Sequence, residues 1–464
     1  MNSYEAVIGL EIHVELNTKS KMFCRCSADY FGAKPNTHTC PICLGLPGSL
    51  PFINEEAINS CIKIGLALNC EISKTSRFER KNYFYPDLPK GYQISQYRWP
   101  LCVAGKLKME DGRWIRINRV HQEEDTAKLF HIGGGTQIDF NRSGVPLVEV
   151  VTEPDFREVG EVREYAKKLQ QIFRYLGISN ADMERGDMRL EANVSVRKVN
   201  ESLRGLAVAK TRQSDAEDRH ADARDDKTLP NYRIELKNIN SFRFMVAAIE
   251  YEIKRQIEAL ENGEKLTQET RGWDEDKKET YLQRSKEEAH DYRYFPDPDL
   301  PEIKVDRLQV TVDSIKKEIP EMPWEKEERF INDYGVSVNN AKILIETRES
   351  AEYFEKTVKL GKEQQLNPQE IANYIINQKI DLASQDQVLR AVEEIASKKI
   401  GVIGDVGELE KLAEEAIKEN PDSIEAFKNG KLGALNVLLG AIMKKTNGKA
   451  DASKTMEILK NLLK

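Results

Sequence analysis

No apolar run in the chain approaches the roughly 18 consecutive residues of a membrane span, and Met1-Asn2-Ser3-Tyr4-Glu5 holds no basic segment leading into an apolar one. A cytosolic (cytoplasmic) protein is therefore expected. The sequence also lacks the G-x-x-x-x-G-K-S/T phosphate loop and the G-x-S-x-G elbow, and Gly133-Gly134-Gly135 is not followed by the lysine a phosphate loop requires. No nucleophile with an attendant base stands out, which excludes chemistry that releases ammonia or cleaves an amide. A disulfide framework is missing too. Seven cysteines is an odd number; four fall within twenty residues, and Cys61, Cys70 and Cys102 lie in apolar surroundings. Reduced thiols and a metal clip fit that pattern. A net charge of -7 argues against nucleic-acid binding over the whole surface, though not against one basic region. At 464 residues, 40% of them hydrophobic, two or three domains with sizeable cores are expected.

Against these absences stands the segment from Ala6 to Leu16, which alternates as a strand. Ala6, Ile8, Leu10, Ile12, Val14 and Leu16 share one face; Gly9, Glu11, His13 and Glu15 share the other. The second face is either solvated or a platform for a metal or for acid/base work. Next, Cys24 and Cys26, thirteen residues, then Cys40 and Cys43 have the spacing of a tetrahedral zinc site with no open position. Free thiols in a tight loop are the alternative, and His38 could replace one ligand. Asn54 caps a helix carrying Ile58, Cys61, Ile62 and Leu66. Lys81 to Gln96 has neither periodicity; four aromatic rings with lysines and amides suit an ordered loop that stacks a base, lines a polar tunnel or is anchored by its own rings.

Further along, Glu123-Glu124-Asp125 follows His121, and Glu149 sits alone in an apolar strand, where it needs a partner or a cation. Glu161 to Gly177 reads as a helix stopped by Gly177. Leu190 to Arg197 and Arg233 to Lys237 alternate like the first strand, each with an ionic or amide face, so three strands share a design suited to a charged substrate with cations. Thr211 to Thr228, with six acids, four bases and no large aliphatic residue, reads as a flexible excursion between them. Met245 to Glu261 is a further helix, and the prolines of Asp291 to Pro301 mark a stiff boundary. Beyond it the spacing is helical, with a break at Gly401 to Gly407. From Pro421 on, eight lysines (Lys428, Lys431, Lys444, Lys445, Lys449, Lys454, Lys460, Lys464) against four acids leave a net of +4, and Leu432, Leu435, Leu438, Leu439, Ile442 and Met443 form an apolar stripe. The basic tail is either a solvated face or a contact for a phosphate backbone. If ATP is used, Glu11, His13, Glu124, Glu149 and Glu191 are the candidate ion ligands, and Arg189, Arg197 or Lys237 would hold phosphates. Histidine among the ligands leaves manganese or zinc open beside magnesium.

From end to end the chain resembles the B subunit of aspartyl/glutamyl-tRNA amidotransferases, through Val7 to Val14, Lys81 to Gln96, His121 to Asp125, Gly144 to Glu149, Glu191 to Arg197, Glu235 to Asn238 and Asp291 to Pro296. The resemblance implies an α+β fold: an antiparallel-sheet cradle like the glutamine synthetase catalytic domain at 1–297, an all-α domain at 298–400, and a YqeY-like, tRNA-contacting tail at 401–464. It implies ATP-dependent phosphorylation of the side-chain carboxylate of Glu-tRNA(Gln) or Asp-tRNA(Asn), then amidation by ammonia that a glutaminase A subunit supplies through a tunnel, with a small C subunit tying A to B. His13, Glu124 and Glu149 correspond to magnesium ligands; Glu11 and Glu191 lie where a second ion or the ATP phosphates would sit; Lys81 and Tyr83 match the tunnel mouth; and Cys24, Cys26, Cys40 and Cys43 match the zinc clip of some members. Glu191 stands where many members have Asp, 211–228 reads as an insertion, and the region from about Leu366 to Gly407 reads as abbreviated. A free-standing ligase for a small carboxylate would not need the helical half, and a tRNA-binding adaptor would not need the clustered acids, which repel RNA unless cations bridge them.

Overall fold

The computed structural model describes residues 4–199, 229–285, 292–378, 385–399, 405–428, 433–446 and 449–463. The excursion expected at 211–228, Asp291, Lys431, Leu432, Lys464 and residues 401–404 of the expected break lie outside them. The chain forms two compact units, Met1–Pro323 and Trp324–Lys464.

The first unit is built on a nine-stranded sheet. Its strands, numbered along the chain, are β1 (Tyr4–Glu15), β2 (Glu71–Ile72), β3 (Cys102–Lys108), β4 (Trp114–Glu124), β5 (Pro146–Thr152), β6 (Met188–Lys198), β7 (Ile234–Ile239), β8 (Glu269–Asp274) and β9 (Glu279–Ser285). Their order across the sheet is β9-β8-β7-β6-β1-β5-β4-β3-β2, with every pair antiparallel except β7 with β8. The first strand therefore lies in the middle, hydrogen-bonded to β5, the apolar strand that carries Glu149, and to β6, whose far edge pairs with β7; β6 and β7 are the two later strands that share its alternation. Alternation sets which face is buried: Ile8, Leu10, Ile12 and Val14 are at most 1% exposed. Helix α1 (Glu55–Ala67) covers that face, since Gln122, one residue out of phase with His121, donates to the Ala57 carbonyl of α1 (2.5 Å). Asn54 caps α1 by accepting from Ala57 N–H (3.3 Å). Gly65 lets α1 reach β3, because a Cβ there would stand 2.5 Å from Cys102 Sγ. Helix α2 (Val159–Tyr175) buries Val162, Tyr165, Leu169, Ile172 and Phe173, and Gly177 at φ +68° follows its end; α3 (Phe242–Glu261) packs on β6.

One expectation needs correction. Lys81 to Gln96 is not all loop: Glu79–Asn82 and Tyr92–Ser95 pair antiparallel, with Lys81 opposite Gln93, and Phe295–Pro296 adds a third short strand. Two four-residue strands hide in a run of aromatics and prolines because the intervening turn, not the strands, dominates its composition.

The second unit is built from helices. Phe330, Leu344, Phe354, Ile371 and Val392 belong to one core; Leu409, Ala413, Leu435, Leu438, Ile442 and Leu459 belong to another. The apolar stripe read from the tail is thus buried at Leu435, Leu438 and Ile442, with Leu439 and Met443 packed beside them.

Candidate functional site

Strand register assembles the polar face. His13 of β1 lies opposite Glu149 of β5 and Arg189 of β6, and Glu149 lies opposite His121 of β4. A row of His121, Glu149, His13 and Arg189 therefore crosses four strands on one side of the sheet. One step along β1, Glu11 faces Glu191, and Asn193 of β6 faces Glu235 of β7.

In the first row, one ligand atom each from His13, Glu123 and Glu149 falls within a 4.8 Å cluster. His13 Nε2 is 3.8 Å from both carboxylates, and His121 Nε2 is 3.1 Å from Glu149 and 3.5 Å from Glu123. His121 and Glu123 are each 2% exposed and Glu149 6%. Burial alone would lower the His121 pKa, but Glu149 and Glu123 raise it above its ordinary value. Burial would likewise push the Glu123 pKa up; the His121 hydrogen bond and the Lys81 charge instead bring it down to about 2. Glu149 is held well below the carboxylate range, against its burial, by His121 and His13. The paired strands found at 79–95 feed this cluster. Ser95 Oγ (2.7 Å) and Gln93 Nε2 (3.3 Å) donate to Glu123, while half-buried Lys81 places its charge beside both carboxylates and its Nζ 5.1 Å from the Tyr292 ring centroid. Tyr83 packs edge-on to Tyr292 at 5.8 Å.

Glu124, named with His13 and Glu149 as a ligand, is not in this cluster. Both its oxygens accept from Lys90 Nζ (2.5 and 2.6 Å), and one accepts from Ile94 N–H (2.9 Å). The reason is strand parity: His121 and Glu123 share a face and Glu124 takes the other. Parity counted from His121 was the signal that could have found Glu123.

The second cluster joins Glu11, Glu191 and Glu235, again within 4.8 Å. Lys237 Nζ bridges Glu191 (2.7 Å) and Glu235 (3.2 Å), and Asn193 donates to Glu11 (2.9 Å). Burial, then the Glu149 and Glu191 charges, raise the Glu11 pKa. The other expected phosphate holders are engaged elsewhere: Arg189 with Asp125 (2.5 Å) and Arg197 with Glu5 (2.5 Å). Asp125 closes a buried group in which Tyr30 donates to Glu15 (3.0 and 3.1 Å). Glu235 lies on the ionic face that the alternation of Arg233 to Lys237 gave, whereas Asp125, Tyr30 and Lys90 carried no periodic signal, because tertiary contacts alone give them their partners.

The four cysteine Sγ atoms also fall within 4.8 Å of one another. Cys40 Sγ and Cys43 Sγ are 3.9 Å apart, close to the ~3.8 Å edge of a tetrahedron with ~2.3 Å zinc–sulfur bonds. A hydrogen bond from Cys24 and the Lys21 charge bring the Cys43 thiol pKa down to about 5, against its burial. The donor set fits a zinc ion. Two carboxylates and an imidazole in one 4.8 Å cluster fit a divalent cation at the first row.

A sheet face with two carboxylate clusters threaded by lysine, arginine and histidine has the chemistry to hold cations and charged ligands. Residues 6–311 match the GatB/GatE catalytic domain and residues 326–463 the GatB domain. The chain is 44% identical to the aspartyl/glutamyl-tRNA(Asn/Gln) amidotransferase B subunit of Thermodesulfovibrio yellowstonii, with 99% of each chain covered. It is 41% identical to those of Carboxydothermus hydrogenoformans (100% of this chain, 99% of the relative) and Thermotoga maritima (99% of each). The chain belongs to the family of B subunits of tRNA-dependent amidotransferases.

Proposed function

We propose that this chain converts the side-chain carboxylate of Glu-tRNA(Gln), of Asp-tRNA(Asn), or of both, into an amide at the polar face of its sheet. In this reading the γ-phosphoryl group of ATP passes to a carboxylate oxygen, giving an acyl phosphate and ADP. Ammonia then adds to the acyl carbon, phosphate leaves with the bonding pair, and the nitrogen gives up a proton. A glutaminase A subunit supplies the ammonia and a small C subunit completes the complex, in keeping with relatives that are themselves the B components of such enzymes.

The observation that carries the reading is the cluster of half-buried His13 with buried Glu123 and Glu149 in a chain that matches the family over its whole length. These three residues would hold magnesium, and Glu11, Glu191 and Glu235 a second ion; bound there, such ions supply positive charge to polyphosphate oxygens. His121 fixes the Glu149 and Glu123 carboxylates by hydrogen bonds, so that neither rotates away from the cluster. Lys81 adds a fixed positive charge on the same side, where a transferring phosphoryl group would gain most from it. Lys237, between Glu191 and Glu235, sets a second such charge one row along the sheet. Contact of the C-terminal region with tRNA is supported by its net +4 and by the exposure of Lys444, Lys449 and Lys460. Among the described residues no helix is long and apolar enough to cross a membrane, and a cytoplasmic location belongs to the same reading.

The test combines the chain with A and C subunits, Glu-tRNA(Gln), magnesium and γ-labelled ATP. Label on the aminoacyl-tRNA, followed by amide on adding glutamine, supports the reading. ATP turnover that is indifferent to the aminoacyl group, or equal on free glutamate, overturns it.

A further inference from the structure

Lys21 has no exposed surface, and none of the carboxylates among the described residues lies within ion-pair distance of it. Its Nζ donates to two backbone carbonyls, His38 O (2.8 Å) and Phe140 O (3.2 Å), and stands 3.8 Å from Cys43 Sγ. Two neutral carbonyls satisfy two of its three protons but not its charge, and an ammonium buried without a counter-charge is costly. The anion within reach is the cysteine clip, where four thiolates around one divalent ion leave a net of about -2.

We propose that Lys21 is the built-in counter-cation of the zinc-loaded clip and, through Phe140, the link by which the loaded clip braces the turn between β4 and β5. The proposal rests on the clip's holding zinc. The loop between the two cysteine pairs is stitched to that turn at several points: Asn36 Nδ2 to Ile138 O (3.0 Å), His38 N–H to Asn141 Oδ1 (2.7 Å) and Asn141 Nδ2 to Lys34 O (2.8 Å). The same turn touches the catalytic side. Gly144 N–H donates to Asp125 O (2.9 Å), and Gly144 O accepts from Met22 N–H (2.7 Å), next to Lys21 in sequence. Lys21 thus sits where the charge of the clip and the position of the Glu123-Glu124-Asp125 segment meet. Replacing it with an apolar residue of similar length would leave the thiolates less compensated and remove the tie to Phe140.

The experiment measures zinc affinity by competition with a chromogenic chelator in the full chain, in Lys21→Met and in Lys21→Arg, alongside hydrogen exchange with and without zinc. Lys21→Met should bind zinc roughly 10–100-fold more weakly, the range for groups that support metal ligands, and Lys21→Arg should recover part of the loss. Stripping zinc from the unaltered chain should speed exchange at 138–144 as well as at 24–43. Unchanged zinc affinity in Lys21→Met overturns the counter-cation role. Should that variant not fold, exchange in the unaltered chain decides: loosening confined to 24–43 overturns the proposal, and loosening of both segments supports it. A full chain that takes up no stoichiometric zinc overturns the clip itself and, with it, the role of Lys21.

Discussion

The polar face of the sheet and the helical unit treat charge in opposite ways. In the helical unit the cores are aliphatic and aromatic, and exposed pairs lie at the rim, such as Arg348 with Glu352 one turn apart (2.7 Å), both about 40% exposed, and Lys445 with Glu415 and Glu419; buried Lys326, paired with Glu355 (2.7 Å), is set apart from them. The Arg348–Glu352 pair contributes little, about 0–1 kcal/mol. On the sheet, His121, Glu123 and Glu149 are buried together, and Glu11, Glu191 and Glu235 crowd three like charges around one lysine. Desolvation works against ionisation there, and only mutual pairing sustains it. The helical unit is arranged for its own stability. The sheet instead buries charges that are held ionised by one another, an arrangement suited to a charged ligand.

The largest effect that would test this contrast is at Glu149. Glu149→Ala removes one of the two carboxylates that His121, His13 and Lys81 share, leaving Glu123 alone to balance them, with an expected loss of about 3–5 kcal/mol in urea unfolding. Amide formation on aminoacyl-tRNA by the assembled complex should fall by at least about 100-fold. A drop under tenfold would show that the buried row is structural only.

Next in size is Leu438→Ala, in the core shared with Leu409, Ile442 and Leu459. A cavity there should cost about 2–5 kcal/mol. Hydrogen exchange should rise in 405–463 and stay unchanged in β1, β5 and β6; exchange rising equally in the sheet would erase the contrast between the units.

Asp187 allows a test of sign. Burial raises its pKa above 3.8, with Arg185 opposing, so the folded chain binds that proton more tightly than the unfolded one. Stability from this group is present below pH 3.8 and lost as pH rises through the raised value. At pH 7 Asp187→Asn should therefore be stabilising, by up to about 1 kcal/mol, and the gain should vanish on acidification through that window. Denaturant titrations at several pH values check it; a gain that grows toward low pH contradicts it.

The smallest effect belongs to the rim. Arg348→Ala should cost about 0.3–0.5 kcal/mol through the Glu352 pair, and added salt should shrink the difference. A loss above 2 kcal/mol would show that the helical unit, too, depends on paired charge.

The residues alone determined what short-range periodicity can carry. Strand alternation separated Ile8, Leu10, Ile12 and Val14 from Glu11, His13 and Glu15. Cysteine spacing drew Cys24, Cys26, Cys40 and Cys43 together, and the helical stripe at Leu435, Leu438 and Ile442 marked a buried face. These features depend on a side chain's direction relative to near neighbours, which the backbone period sets. Which strand lies beside which is a different matter. It was tertiary register that set His121 opposite Glu149 and Glu149 opposite His13, and gave Arg189 to Asp125 and Arg197 to Glu5. The pairing of 79–82 with 92–95, which carries Lys81, Gln93 and Ser95 to the cluster, arose the same way. The composition of β1 declared a polar face, but only the packed sheet decided which charges would meet there, because contacts between residues on different strands depend on the fold that joins them.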